Sequence, residues 1–138
     1  MSVKINQIVI GDNKPFVLIA GPCVVENEKM IFETANAIKQ ITSELDIPFI
    51  FKSSFKKANR TNLKSFTGLG DDEAIAILKK VRNDLKLAVV TDIHTEDDIK
   101  KVIDAVDILQ IPAFLSRQTD LLIAAGESGK VVNIKKGQ

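Results

Sequence analysis

An alternation of two residue patterns constrains this chain more than any single motif. Five short runs are apolar almost throughout: Phe16-Val-Leu-Ile-Ala20, Pro48-Phe-Ile-Phe-Lys52, Leu87-Ala-Val-Val-Thr91, Val106-Asp-Ile-Leu-Gln-Ile111 and Val131-Val-Asn-Ile-Lys135. A strand covered on both faces reads as such a run, and strands of that kind belong to parallel sheets with helices packed on them. Between the runs, apolar residues return at helical spacing. The alternation of strand and helix predicts a βα repeat around a parallel sheet.

The helices announce their own ends. From Asn27 to Leu45, Met30, Ile31, Ala35, Ile38 and Ile41 fall on one side, with Asn27 as N-cap and Glu28 in the first turn. Asp71-Asp72-Glu73 opens a second helix with Ala74, Ile75, Leu78 and Val81 as its apolar face. Its acids sit at the positive end of the helix dipole. Thr95-Glu-Asp-Asp98 starts a third helix as a variant capping box. Arg117 to Gly126 reads as a fourth, closed by Gly126 or Gly129. Ahead of the repeat, residues 3–10 alternate apolar and polar and read as one short strand, and Gly11-Asp12-Asn13 supplies turn chemistry, within an N-terminal hairpin over residues 1–14.

The chain's 138 residues suffice for one domain with a real core. Its formal net charge of +1 gives no global field for nucleic acid or a membrane surface. Trp and Tyr are absent, so base-stacking platforms would rest on Phe alone. No stretch approaches the ~20 apolar residues of a membrane span. One Cys makes no internal disulfide, which fits a reducing cytosol, and the N-terminus shows no signal peptide. The expectation is a cytoplasmic chain without nucleic-acid or membrane partners.

Charge is concentrated locally instead. From Lys52 to Lys64 the chain carries Lys52, Lys56, Lys57, Arg60 and Lys64, and no acid stands between Asp46 and Asp71. The connection from Ser53 to Gly70 is longer than most strand-to-helix links, and such links are usually functional or disordered. Five cations there repel one another unless an anion joins them. One reading is therefore a small molecule bearing phosphate or carboxylate, held by Lys point charges and an Arg fork. The other is a solvated surface loop. Polar residues also follow the other strands: Cys23 and Glu26, Asp92 and His94, Gln110 and Arg117, Lys135. In a parallel α/β sheet all those strand ends lie on one face, so the scattered residues converge on one site.

Several segments together resemble a known family. Ala20-Gly-Pro-Cys23, Phe51-Lys-Ser-Ser-Phe-Lys-Lys-Ala-Asn-Arg60, Thr91-Asp-Ile-His94, Leu109-Gln-Ile-Pro-Ala-Phe-Leu-Ser-Arg-Gln-Thr-Asp120 and Val132-Asn-Ile-Lys-Lys136 look like the 3-deoxy-D-manno-octulosonate 8-phosphate synthases, in register from about Pro15 onward. The related 3-deoxy-arabino-heptulosonate 7-phosphate synthases would carry a Lys-Pro-Arg-Thr type segment where this chain has Lys57-Ala-Asn-Arg60.

The resemblance implies a (β/α)8 TIM barrel that condenses phosphoenolpyruvate with D-arabinose 5-phosphate and releases phosphate, a step serving lipopolysaccharide synthesis. It implies that Lys52 and Lys57 hold the carboxylate and phosphate region of phosphoenolpyruvate, and that Lys135 contacts its phosphate. Asn59, Arg60 and Thr61 would meet the sugar phosphate, with Thr61 standing where the family has Ser. Gln110 and Arg117 would share the pocket, lined by the Ala113 backbone, while Asp92 and His94 order it. Cys23 marks the subclass that binds a divalent metal, completed in the family by His, Glu and Asp from later strands. Taken alone, Cys23 reads as a small core residue rather than a metal ligand, and His94 reads also as a hydrogen-bonded structural group. Ser116, Thr119 and Asp120 read equally as helix caps.

A full barrel needs eight strand–helix units. This sequence supplies five strands and four helices. The expectation is one incomplete barrel domain, residues 15–138 forming units one to five, with open edges at the first and fifth main strands. No metal is expected on this chain alone, and assembly as a homo-oligomer is expected. Its activity is either the family's or, in a truncated form, only anion binding and assembly.

Overall fold

The computed structural model describes residues 2–11, 13–58 and 67–137. The N-terminal strands β1 (Ser2–Ile5) and β2 (Ile8–Gly11) pair antiparallel. Then come β3 (Leu18–Ala20), α1 (Glu28–Glu44), β4 (Phe49–Lys52), α2 (Asp71–Leu85), β5 (Ala88–Asp92), α3 (Glu96–Val102), β6 (Ile108–Ile111), α4 (Thr119–Glu127) and β7 (Val131–Ile134). Strands β3 to β7 form one parallel sheet in sequence order, which is the topology of a partial TIM barrel. No described helix is long and apolar enough to cross a membrane.

Period-two alternation assigns the two faces of the sheet. Phe49 and Phe51 of β4, Val89 of β5, and Leu109 and Ile111 of β6 join Ile31, Ala35, Ala74, Leu78 and Val81 in the core beneath the helices. Ile50, Ala88, Val90 and Ile108 face the other way and pack with Ile5 of the hairpin. The inner face therefore begins as an apolar layer at the hairpin end. Two residues further along each strand, the same face carries Lys52, Asp92, Gln110 and Asn133. Parity alone lifts these four into a polar layer at the C-terminal strand ends.

Local readings differ from the structure at four places. The hairpin turns at Asn6-Gln7, so residues 3–10 span two strands rather than one. Asn6 adopts φ 53°, a left-handed conformation that Asn tolerates well. Phe16 lies outside β3 and is 69% exposed, because β3 is a sheet edge without a covering neighbour. On α1 the buried stripe runs through Ile31, Ala35 and Thr42, and Ile41 is exposed. Thr42 tolerates burial because its hydroxyl donates to the Ile38 and Lys39 carbonyls. The fourth helix begins at Thr119, not Arg117, since the chain first makes a 3-10 turn over Ala113–Leu115.

The capping assignments coincide with the structure. Asn27 Oδ1 accepts from the Met30 N–H at 2.8 Å. Thr95 and Asp98 form a reciprocal capping box at the start of α3.

Candidate anion site at the strand ends

The polar layer is a connected network spanning four strands. Lys52 Nζ lies 3.1 Å from Asp92 Oδ2 and donates to Ser54 Oγ at 3.0 Å. The Ser54 hydroxyl donates to Asp92 Oδ2. Gln110 Nε2 donates to Asp92 Oδ1 at 2.6 Å, and Asn133 Nδ2 donates to Gln110 Oε1 at 2.8 Å. The carboxylate only accepts, so it fixes which way the Gln110 amide points, and Gln110 in turn fixes Asn133. Burial pushes the Asp92 carboxyl upward, but Ser54, the Lys52 charge and Gln110 outweigh it and hold the group below the usual carboxylate range.

Two cavities flank the Lys52–Asp92 pair. One, of about 280 Å³, is lined by Ile19, Lys52, Gln110, Asn133 and Lys135. The other, of about 90 Å³, lies among Ser54, Lys56, Lys57, Asp92, His94 and Phe114. The sequence-nominated residues Lys52, Lys57, Asp92, His94, Gln110 and Lys135 thus come together around one ion pair. Ala113 and Arg117 do not join them. They line a separate cleft of about 450 Å³ with Ser116, Lys136 and Gly137. Asn59, Arg60 and Thr61 lie outside the described residues.

The connection after β4 is packed at its base rather than solvated throughout. Ser53, Ser54 and Phe55 are buried. Ser54 bridges to Val24, Phe55 N–H donates to Thr91 Oγ1 at 3.1 Å, and Lys57 N–H donates to the Thr67 carbonyl at 2.9 Å. Gly21 closes the other side. A Cβ there would sit 2.0 Å from the Lys52 carbonyl oxygen, so β3 can leave the sheet this close to β4 only with glycine.

A second carboxylate stands behind His94. Asp98 Oδ1 accepts from Lys56 Nζ at 2.6 Å, and Oδ2 accepts from the His94 and Thr95 N–H groups at 2.9 and 3.2 Å. Burial opposes the charge on Asp98, yet these contacts hold its carboxyl far below the ordinary range. The His94 ring stands beside this carboxylate, Nδ1 lying 3.6 Å from Asp98 Oδ2 with no hydrogen-bond partner among the described residues. The ring is otherwise held by contact with Phe55 and Phe114.

Cys23 is exposed, and its Sγ accepts from Lys57 Nζ. Among the described residues, no three His, Cys, Asp or Glu side chains gather as a metal ion requires. An ammonium against the thiol also disfavours a second cation. The described residues do not fit a resident metal.

Ser54, Asn133 and Asp98 are the network members that reading by motif overlooked. Ser54 and Asn133 each lie two residues from a nominated lysine, Lys52 and Lys135, so strand parity was the available signal. Asp98 was legible only as a cap.

Comparison with known sequences supplies the family. The sequence model of the DAHP synthetase I family matches residues 1–138. A 2-dehydro-3-deoxyphosphooctonate aldolase of Variovorax paradoxus (strain S110) is 59% identical over 136 residues, covering 99% of this chain and 48% of that protein. Proteins of the same name from Paraburkholderia xenovorans (strain LB400) and Burkholderia multivorans (strain ATCC 17616 / 249) are each 54% identical over 136 residues, with the same coverage. The chain spans about half the length of the curated relatives it matches.

Proposed function

The chain belongs to the DAHP synthetase I family, and from that premise we propose that it carries the phosphoenolpyruvate-gathering half of a synthase site. The reaction is the condensation of phosphoenolpyruvate with D-arabinose 5-phosphate to 3-deoxy-D-manno-octulosonate 8-phosphate, with release of phosphate. The observation carrying this reading is the pair of cavities meeting at Lys52–Asp92, with Lys135 at one and Lys57 at the other.

The chemistry asks for this kind of arrangement. The enol double bond attacks an aldehyde carbon, water adds to the adjacent carbon, and phosphate departs. Two anionic substrates must be held face to face, so cations offset their repulsion and orient the attack. Lys52 and Lys57 are assigned to the carboxylate and phosphate region of phosphoenolpyruvate, and Lys135 to its phosphate. Asp92 holds Lys52 in place, Gln110 supports Asp92, and His94 backs the second cavity. Asn59, Arg60 and Thr61 are assigned to the sugar phosphate, and Arg117 with the Ala113 backbone to substrate binding from the neighbouring cleft. Cytosolic location and homo-oligomeric assembly belong to the same proposal.

The family's description also favours a second reading, a heptulosonate-forming enzyme. It would take a sugar phosphate one carbon shorter. Titration calorimetry of this chain with phosphoenolpyruvate tests the common part. Binding should occur and should weaken about tenfold or more in Lys135→Ala, the scale of one lost charge-assisted contact. Equal affinity in that variant refutes the assignment. Phosphate release with each sugar phosphate, in this chain and together with the remaining half of a relative, separates the two synthases.

A further inference from the structure

We propose that Asp98 is a positioning residue of this site, locking the base of the cationic connection after β4 to the turn after β5 through Lys56. The inference deepens the proposed function and rests on it for the ligand. A helix-capping carboxylate needs only its own N-terminal N–H groups. Asp98 does more, dividing its two oxygens between separate chain segments. Oδ2 takes the His94 and Thr95 N–H groups, and Oδ1 takes Lys56 Nζ at 2.6 Å.

The carboxylate is almost fully covered, with its side chain 2% exposed against 27% for Lys56. A covered carboxylate with one cationic partner holds that partner strongly, because losing it leaves an uncompensated buried charge. Asp71 Oδ2, the other acid near Lys56, is 3.9 Å away and accepts from Lys101 Nζ at 2.6 Å. Lys56 is therefore committed to Asp98. Its neighbours on both sides carry the site: Phe55 is anchored in the core, and Lys57 reaches the second cavity. Fixing Lys56 fixes the direction in which Lys57 leaves the sheet, and it also sets the backbone that presents His94. Lys56 also lines the second cavity, but its ammonium is held by Asp98, which separates it from Lys57.

The test uses Asp98→Asn, Lys56→Gln and the double variant. Asn remains a good cap, so Asp98→Asn breaks the ion pair while sparing the helix start. Calorimetry with phosphoenolpyruvate should show each single variant binding about tenfold more weakly, the scale on which supporting contacts act. The double variant should recover part of the loss, because two amides can pair where one charge cannot. A residue that only caps α3 would leave affinity unchanged in Lys56→Gln and give additive effects, and either result overturns the proposal. Acylation of Lys56 by an activated ester, read by mass spectrometry, needs no substrate. Faster labelling in Asp98→Asn supports the lock, and equal labelling overturns it. A wild-type chain that binds no phosphoenolpyruvate refutes the reading of the site, while the labelling rates still decide whether the lock exists. If Asp98→Asn fails to fold, Lys56→Gln, which leaves the cap intact, carries the affinity arm alone.

Discussion

Replacing Asp92 with Asn should destabilise the chain by an amount that depends on pH in a defined direction. The Asp92 side chain is 11% exposed and that of Lys52 20%. Ser54, Gln110 and Lys52 all donate to the one carboxylate. An Asn side chain offers one acceptor oxygen and turns an NH₂ group toward a remaining donor. Breaking a buried pair by removing one partner costs about 3–5 kcal/mol. Water still reaches Lys52, so the lower end applies, about 3 kcal/mol. For a domain of this size that corresponds to a fall in Tm of about 12 °C.

Because the folded carboxyl titrates below its unfolded value, its contribution is complete above the unfolded pKa, near about 4. It is lost as pH falls through the folded pKa. The Asn variant has no such group, whereas Asp98 contributes the same acid sensitivity to both proteins and cancels in the difference. Urea unfolding followed by circular dichroism should give the full gap at neutral pH and a shrinking gap below about pH 4. A gap that stays constant on acidification, or one under about 1 kcal/mol at neutral pH, refutes the account of Asp92 as an ionised hub.

Two further perturbations probe the scaffold under the site. Gly21→Ala drives a methyl into the Lys52 carbonyl at a φ of 154°, so it should cost about 3 kcal/mol or more in urea unfolding and also weaken phosphoenolpyruvate binding. Phe55→Ala empties a fully buried position beside His94, with an expected loss of about 3–5 kcal/mol, and wild-type stability would show that the base of the connection is not packed as described.

The fold was legible because its signal is redundant. Five apolar runs, two capped helix starts and a family resemblance all pointed to one topology, and small errors at Phe16 or Ile41 left it intact. Those errors share a cause, since periodicity reports which residues can be buried and neighbours decide which are. The site was legible by type and less so by grouping. Strand ends collect residues on one face, but the sequence does not say how that face divides, and Arg117 lines a cleft apart from Gln110. Ser53 to Phe55 read as the start of a polar loop because Ser is polar in any sequence scale. Burial became acceptable for Ser54 through Asp92 and Lys52, partners distant in sequence or hidden by its own turn.

The charge layout explains why so basic a segment is compatible with a packed structure. Lys52 and Lys56 are each taken by a covered carboxylate, Asp92 from β5 and Asp98 from α3. Among the described residues, no carboxylate comes within ion-pair distance of Lys57 or Lys135. The two paired lysines are partly covered, with side chains 20% and 27% exposed, where an uncompensated charge is costly, whereas Lys135 is exposed. The two left over stand at the cavities. Folding therefore neutralises the cations it must bury and leaves uncompensated those that meet solvent or ligand. An anion arriving at Lys57 or Lys135 need not break an internal pair, and this lets positive charge act on a substrate without being spent on the fold.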